Sequence, residues 1–397
     1  MVPNGWESSK LRDIAKIKSG STPLRAKEDI YFTKKGTPWI KTLDLNNQEI
    51  IKTQEQITDL ALKETSCSIF PVDTVLVAMY GGFNQIGRTG LLTTPSAINQ
   101  ALSGLILDPT KANPKYILNY LNGNIPQWKK FAASSRKDPN ITREDVCGFI
   151  VLLPPLPEQR KIATILGTWD KAIRTTERLI DNSKQQKKAL MQQLLTGKKH
   201  LLDYSGKPFE GEWEEVKLSD VADIVMGSSP KSTSYNEMSE GLPLIQGNAD
   251  IKNRKSAPRI YTSEVTKKCG IDDILLSVRA PVGTVAKSIH EACIGRGISA
   301  IKAKKENSQS YIYQFLLWFE PRWEKYSQGS TFEAVNSDDI KSLHLLIPSF
   351  LEQQKIAAVL TNSDQDIELL EQQLADLKQE KKALMQQLLT GKHRVNT

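Results

Sequence analysis

Side chains able to read a nucleic-acid base are concentrated between Tyr80 and Arg88. This stretch follows an apolar run and contributes an aromatic ring, the amides of Asn84 and Gln85, and an arginine. Asn and Gln can form two hydrogen bonds to adenine, and Arg can form two to guanine. The alternative is a surface hairpin loop with a solvated arginine. We predict that this loop contacts DNA bases.

The same stretch imitates a phosphate-binding loop without meeting its chemical requirements. Gly82 and Gly87 have the spacing of that motif, but Arg88 stands where the motif has a lysine. That lysine reaches the β and γ phosphates, and the loop must open a helix, whereas residues 90–95 have no helical pattern. We therefore predict no nucleotide hydrolysis and no catalytic residue in this chain.

Further candidate contacts lie in both halves of the chain. Arg279 begins the counterpart of the first loop, and this counterpart lacks both amides, so the two loops would read different sequences. Residues 134–137 align with 328–331, where hydroxyls and cations could hold phosphates; an exposed polar loop is the alternative there. The predicted DNA contacts are Lys41, Tyr80, Asn84, Gln85, Arg88, Arg136, Lys137, Lys231, Gln246, Arg254, Arg279 and Thr331.

An internal repeat must position these residues. The twelve residues 187–198 recur as 381–392, which gives an offset of 381 − 187 = 194. Near the start of each half, Lys10 corresponds to Lys217, and the offset is 217 − 10 = 207. The first half therefore carries 207 − 194 = 13 more residues, which we place in its globular part. A tandem duplication of one unit is predicted.

Each half has the pattern of an α+β unit followed by a long helix. Short alternating or apolar runs separated by Gly, Asn, Asp and Pro indicate strands joined by loops. One helix per half is predicted around residues 114–130 and 310–325. Prolines then precede the long helices. The predicted domains are two globular units and two helical segments, namely 1–154, 155–200, 201–348 and 349–397.

A heptad pattern marks both long helices. Seam residues recur at alternate steps of four and three over more than four heptads, which indicates a coiled coil. The net charge is 9 − 4 = +5 for residues 158–198 and 5 − 7 = −2 for residues 352–392, which favours their pairing. We predict one antiparallel pair with a globular unit at each end and pseudo-twofold symmetry. The predicted interface residues are Ile162, Leu166, Trp169, Ile173, Ile180, Leu190, Leu194, Ile356, Leu360, Ile367, Leu370, Leu374, Leu377, Leu384 and Leu388.

Composition limits the class of protein. The 397 residues exceed the size of a single core, and 53 Lys and Arg against 45 Asp and Glu give a net charge of +8, which suits a polyanionic partner. The four cysteines and four histidines lack metal-site or disulfide spacing. No apolar run approaches the length of a membrane span. We expect a cytoplasmic protein with no bound metal and no membrane contact.

The chain resembles the specificity subunit of Type I restriction-modification enzymes. The resemblance is carried by Gly-Ser-Thr-Pro at 20–23 with Pro-Trp-Ile at 38–40, by Pro-Leu-Pro-Glu-Gln at 155–159, and by the helix ending in Leu-Leu-Thr-Gly. These features recur in the second half. The second copy has Phe-Leu-Glu-Gln at 350–353 where the family prefers Leu-Pro-Glu-Gln, which affects the angle at which that helix begins.

The resemblance implies two target-recognition domains, each reading one half of a bipartite, asymmetric sequence in double-stranded DNA. It implies that the two helices set the spacing, dock two methyltransferase subunits, and are joined by restriction and translocase subunits. S-adenosylmethionine, ATP and Mg would then be bound by those partners and not by this chain, and no Asn-Pro-Pro-Tyr motif is present. The alternatives are an assembly scaffold whose domains do not bind DNA and an enzyme acting alone.

Overall fold

The computed structural model describes residues 2–82, 84–133, 140–203, 205–323 and 334–395. The chain divides into two compact units. Unit 1 comprises Met1–Glu177 and Gln372–Thr397, and unit 2 comprises Arg178–Glu371. Both long helices contribute one segment to each unit.

Unit 1 is built from short strands and helices that precede one long helix. Its strands are β1 Glu7–Lys10, β2 Ala15–Ser19, β3 Phe32–Thr33, β4 Thr37–Ile40, β5 Glu49–Ile50, β6 Glu55–Ile57, β7 Val75–Ala78, β8 Thr89–Leu92, β9 Ala97–Ile98, β10 Leu102–Leu107 and β11 Ile150–Leu153. Its helices are α1 Leu11–Ile14, α2 Glu28–Tyr31, α3 Asp59–Glu64, α4 Pro114–Gly123, α5 Ile125–Ala133, α6 Arg143–Gly148 and the start of α7 Leu156–Leu194.

The strands of unit 1 form a five-stranded sheet, β2-β10-β7-β8-β5, a four-stranded sheet, β3-β6-β4-β9, and the pair β1-β11. Most neighbours are antiparallel, but β4 pairs with β9 and β5 with β8 in parallel. The inward face of the larger sheet, including Val75, Val77 and Leu105, packs on Tyr116 and Ile117 of α4. Alternating apolar residues on the strands and an apolar face on the helix produce this core.

Unit 2 repeats this architecture. Its strands are β12 Glu214–Lys217, β13 Ala222–Met226, β14 Tyr235–Asn236, β15 Leu242–Ile245, β16 Ile251–Lys252, β17 Lys255–Ser256, β18 Ile260–Thr262, β19 Lys268–Cys269, β20 Ile274–Ser277, β21 Val285–Lys287, β22 Ala292–Ile294, β23 Ile298–Ala303 and β24 His344–Ile347. Its helices are α8 Leu218–Val221, α9 Gln309–Phe319, α10 Ser337–Lys341 and the start of α11 Phe350–Leu388. The sheets are β13-β23-β20-β21-β17-β16, β14-β18-β15-β22-β19 and β12-β24. The predicted α+β class and the duplication are thus confirmed.

The sheet registers locate most of the extra residues of unit 1. Ile57 of β6 corresponds to Thr262 of β18, with an offset of 205, and Val75 corresponds to Ile274, with an offset of 199. The six additional residues between these points contain α3, where unit 2 instead has β19. Another three residues lengthen the loop between β7 and β8.

The helix predicted around residues 114–130 is interrupted. The structure has α4 ending at Gly123 and α5 beginning at Ile125. Pro126 lies in the first turn of α5, where its missing N–H prevents it from extending the hydrogen-bond ladder of the preceding helix. In unit 2, Pro321 stands at the same place, and α9 ends at Phe319 before a short 3₁₀ turn.

A segment of α7 runs antiparallel to a segment of α11 in each unit. Among the ion pairs between these two helices, a higher residue number on α7 goes with a lower residue number on α11. Two ion pairs in each unit are related by the repeat, so the duplication and not the net charge of each helix sets their pattern. They are Lys381–Asp170 (2.6 Å) and Lys378–Glu177 (2.8 Å) in unit 1, and Lys187–Asp364 (2.5 Å) and Lys184–Glu371 (2.6 Å) in unit 2.

The predicted seam residues are buried to different degrees. Those next to the globular parts are enclosed: Ile162 and Leu166 lie in one core with Leu388, and Leu194 lies in another with Ile356 and Leu360. Ile173 and Ile180 are also buried. The half-buried seam residues are Trp169, Leu190, Ile367, Leu370, Leu374, Leu377 and Leu384.

A buried glutamine joins each long helix to its globular part. The side-chain oxygen of Gln159 accepts a hydrogen bond from the backbone N–H of Asn113 at 2.8 Å, and its amide nitrogen donates to the carbonyls of Lys111 and Pro154. Gln353 repeats the arrangement with the N–H of Ser308 and the carbonyl of Pro348. The amide oxygen therefore ties each long helix to the segment that opens α4 or α9, and the amide nitrogen binds the proline carbonyl just before that long helix.

The glutamate before each glutamine binds the segment that precedes the first strand of the globular part of its unit. Glu158 accepts a hydrogen bond from the indole N–H of Trp6 at 3.2 Å and two from the guanidinium of Arg394 at 2.7 Å. In unit 2, Glu352 accepts from the indole of Trp213 at 3.1 Å. The Glu-Gln dipeptide of the sequence motif is therefore a structural joint.

Truncating a buried side chain of the helix seam beside this joint should destabilise the folded chain. Leu166 is fully buried, whereas Leu179 on the same helix is 46% exposed. We expect Leu166→Ala to lower the free energy of unfolding by about 2–5 kcal/mol, because it leaves a cavity. The matched change Leu179→Ala should cost about 0.5 kcal/mol or less. Urea denaturation of both variants measures the difference, and equal losses would contradict the packing described here.

Candidate nucleic-acid interface

Four separate segments of unit 2 meet in a cleft of about 370 Å³. Each segment lies at the end of a strand, after β13, after β15, after β20 or between β22 and β23. The lining is polar and contains two arginines. It consists of Ser229, Gln246, Gly247, Asn248, Arg279, Ala280, Arg296 and Gly297.

Backbone hydrogen bonds hold these strand ends together. The N–H of Gly297 donates to the carbonyl of Gln246 at 3.1 Å, and the N–H of Val278 donates to the carbonyl of Gly297 at 2.9 Å. Gly227 approaches the carbonyl oxygen of Gly295 so closely that a Cβ would lie 2.1 Å from it. The glycine of the Gly-Ser-Thr-Pro motif and its repeat thus permits close approach of the backbone.

Unit 1 has the same backbone framework. The N–H of Asn99 donates to the carbonyl of Ile40 at 3.0 Å, and the N–H of Met79 donates to the carbonyl of Ala101 at 2.8 Å. Gly20 approaches the carbonyl of Ile98 as Gly227 approaches that of Gly295. By register, Thr22, Lys41, Tyr80 and Gln100 occupy the positions of Ser229, Gln246, Arg279 and Arg296.

The two arginines of the unit 2 cleft are exposed. No carboxylate of a described residue lies within 4.0 Å of either guanidinium. The backbone of each is fixed: Arg279 forms a β-bridge with Ala334, and the N–H of Arg296 donates to Ser229 Oγ at 3.2 Å. The cleft therefore presents ten guanidinium N–H groups from two rigid attachment points.

In unit 1, the matched positions include a lysine, Lys41 at the position of Gln246, and its charge is neutralised by an ion pair. Lys41 Nζ lies 2.8 Å from Glu55 Oε1, and Arg25 lies 2.6 Å from the other oxygen of the same carboxylate. Burial raises the pKa of Glu55, but hydrogen bonds from Lys41 and Arg25, together with both charges, outweigh burial and hold this pKa below its usual range. Because the folded pKa is lowered, the resulting stability is present above about pH 4.3 and is lost as the pH falls through the lowered value.

The predicted base-reading loop of unit 1 connects β7 to β8. Gly87, with φ of +75°, packs against the indole of Trp128, as Gly283 packs against Trp323 in unit 2. Tyr80 and Asn84 are exposed on this loop, and Gln85 and Arg88 are half-buried. These four residues stay predicted contacts, and Tyr80 is the one that falls at a position equivalent to the unit 2 cleft.

The remaining candidates lie elsewhere. Lys231 is exposed at the start of a short 3₁₀ turn and does not line the cleft. Arg254 is bound to Glu320 at 2.5 Å and to the carbonyl of Val285, so its guanidinium already has partners. Arg136, Lys137 and Thr331 lie outside the described residues.

Several residues at these strand ends are not among the DNA contacts predicted from the sequence, namely Thr22 and Gln100 in unit 1 and Ser229, Asn248 and Arg296 in unit 2. The signal available was the repeat itself. Ile98 and Ile294 correspond at an offset of 196. Two positions later, Gln100 of the first half corresponds to Arg296 of the second. A polar difference at matched strand ends is what two diverged recognition surfaces should show.

The described residues contain no group of three or more His, Cys, Asp and Glu side chains placed to hold a metal ion. Among the described helices, none combines the length and apolar character that crossing a bilayer requires.

Comparison with known proteins places the whole chain in one family. The family model described as the type I restriction modification DNA specificity domain matches twice, at residues 3–183 and 210–379. A protein provisionally described as the specificity subunit of type I restriction enzyme MjaX of Methanocaldococcus jannaschii is 31% identical over 100% of this chain and 95% of its own length. The MjaIX specificity subunit of the same organism is 25% identical over 99% and 95%.

Solved structures share the fold. A chain of a type I restriction-modification system aligns with a TM-score of 0.63 and 23% identity over 98% of both chains. The specificity subunit from M. genitalium aligns with a TM-score of 0.65 and 16% identity, again over 98% of both. Two copies of a DNA specificity domain in one chain define the class. The chain belongs to the type I restriction-modification specificity subunit family.

The ion pair at Lys41 should limit how strongly unit 1 binds DNA phosphates. We expect Glu55→Gln to release Lys41 and Arg25 and to steepen the dependence of log affinity on log salt by about 1, because one further cation meets the DNA. Glu28→Gln removes the same charge beside Arg25 but leaves the Lys41 pair intact. Binding to a DNA duplex across a salt series compares the two variants. Equal slopes would show that the pair does not restrain Lys41.

Proposed function

We propose that each unit reads one half of a bipartite, asymmetric target in double-stranded DNA. The chain supplies sequence recognition to a type I restriction-modification complex and performs no catalysis itself. Methyl transfer and DNA cleavage are carried out by partner subunits, which bind S-adenosylmethionine, ATP and Mg. We place the chain in the cytoplasm, where it meets the DNA of the cell.

One observation carries this proposal: the same backbone framework presents different side chains in the two units. Thr22, Lys41, Tyr80 and Gln100 in unit 1 become Ser, Gln, Arg and Arg in unit 2. Amide, hydroxyl and guanidinium groups distinguish base edges by their donor and acceptor patterns. A constant framework with altered reading groups supports two different half-sites, and hence an asymmetric target.

The long helices have apolar surface beyond the seam that unites them. Leu369 is 68% exposed and Leu179 is 46% exposed, and neither belongs to the heptad seam. Burying such side chains against a partner would remove their apolar surface from water, which favours association. We propose that this surface docks the methyltransferase subunits, two per chain as the duplication suggests, and that restriction and translocase subunits join that assembly.

The docking proposal can be tested at Leu369. We expect Leu369→Asp to weaken assembly with the methyltransferase subunit at least tenfold, because a carboxylate would be desolvated in the interface. Unfolding of the isolated chain should be unchanged. Leu369→Met, which keeps an apolar side chain of similar volume, is the matched control. Analytical ultracentrifugation of the mixed subunits measures assembly, and an unaffected Leu369→Asp complex would place the docking surface elsewhere.

The recognition proposal is tested by exchange of one globular part. Replacing residues 1–153 with the equivalent part of another family member should change one half of the methylated motif and leave the other half intact. The measurement is methylation mapping of genomic DNA from cells that carry the chain with its cognate methyltransferase subunit. A change in both halves would contradict independent reading by the two units. Cells lacking the chain provide the baseline.

A further inference from the structure

We infer that the cleft of unit 2 reads a guanine, through Arg279 and Arg296, and that the half-site of unit 2 therefore contains a G·C pair. This inference rests on the proposed role in DNA recognition and assigns a base and two specificity-determining residues to it.

Arg279 and Arg296 both line one cleft, and among the described residues no carboxylate lies within 4.0 Å of either guanidinium. Arg279 and Arg296 come from different strand ends, and both are exposed. Two other arginines of the same unit are paired with carboxylates, Arg254 with Glu320 and Arg259 with Asp250. Two positive charges lining one cleft favour an electronegative ligand over a cationic one. The cleft is therefore suited to a ligand rich in hydrogen-bond acceptors.

A guanine edge fits this chemistry. In the major groove guanine presents two acceptors, O6 and N7, and the planar fork of an arginine donates to both at once. The side-chain amides of Gln246 and Asn248 also line the cleft, and no hydrogen bond with another described residue engages them. They can contact the neighbouring base or the partner strand.

Comparison with unit 1 argues against a phosphate as the ligand. Phosphates are present at every position of a duplex, so a phosphate contact is equally useful in both units. The matched positions of unit 1 are instead Tyr80 and Gln100, which carry no charge. Charge at these two positions differs between the units while the framework is kept. This is the behaviour of residues that read bases.

The test uses Arg296→Gln and Arg279→Gln in the full chain, assembled with its methyltransferase subunit. Each variant should relax one position of the unit 2 half-site, reducing discrimination for its G·C pair by about ten- to hundredfold. The unit 1 half-site should be unchanged. Lys305→Gln, an exposed lysine outside the cleft, removes the same charge and should leave the motif unaltered. Methylation mapping and competition binding with single-base variants of the target provide the readouts.

A gain of function provides the complementary test. Gln100→Arg places the guanidinium of unit 2 at the matched position of unit 1, next to Tyr80. We expect it to shift one position of the unit 1 half-site toward a G·C pair. The unit 2 half-site serves as the internal reference in the same sample.

Three results would overturn the inference. One is a unit 2 half-site without a G·C pair, and another is an unchanged motif in both arginine variants. The third is an equal loss of binding across all sequences with a salt slope lowered by about 1, which is the signature of phosphate contact. If the unaltered assembly yields no bipartite motif at all, the DNA-recognition function itself fails. A motif that lacks the G·C pair contradicts the guanine assignment alone.

Discussion

Two buried residues at the start of each long helix, a glutamate and a glutamine, fix the joint on which the rest of each unit depends. Gln159 and Gln353 use their amides to bind the segments that open α4 and α9. Glu158 and Glu352 bind the indoles of the first segments. A buried polar group that loses its partner costs about 1–3 kcal/mol, so each joint holds its globular part rigidly on its own helix segment.

Because of the duplication, this joint and the pairing of the long helices each occur twice, once in each unit. Lys381 binds Asp170 in unit 1 as Lys187 binds Asp364 in unit 2. Each lysine stands at a seam position, where an unpaired charge would disfavour burial. The register of α7 against α11 is therefore specified by these Lys–Asp ion pairs, which the repeat creates once in each unit. A difference in net charge between the two helices is not needed to set it.

On this constant frame, the strand ends are free to differ. Glycines at 20 and 227 bring backbones together in both units, and no reading side chain takes part in that contact. The differences in side chain between the two units at the cleft accompany the same backbone framework. In unit 2 they expose two arginines, and in unit 1 they couple Lys41 to Glu55 and leave Tyr80 and Gln100 as neutral groups. Specificity can change in one unit without any change in the other.

The sequence by itself determined the duplication, the α+β class, the paired long helices and the family, because these follow from offsets and local periodicity. Tertiary structure decided which candidates have free functional groups. Lys41 meets Glu55 across 14 residues through the pairing of β4 with β6, and Arg254 meets Glu320, in the turn after α9, across 66. Neither contact leaves a local pattern in the sequence. Tertiary structure also brought Arg279 and Arg296 into one cleft. Their strand ends become neighbours through the pairing of β20 with β23 and the hydrogen bond from the N–H of Val278 to the carbonyl of Gly297, and no periodicity within either segment encodes that proximity.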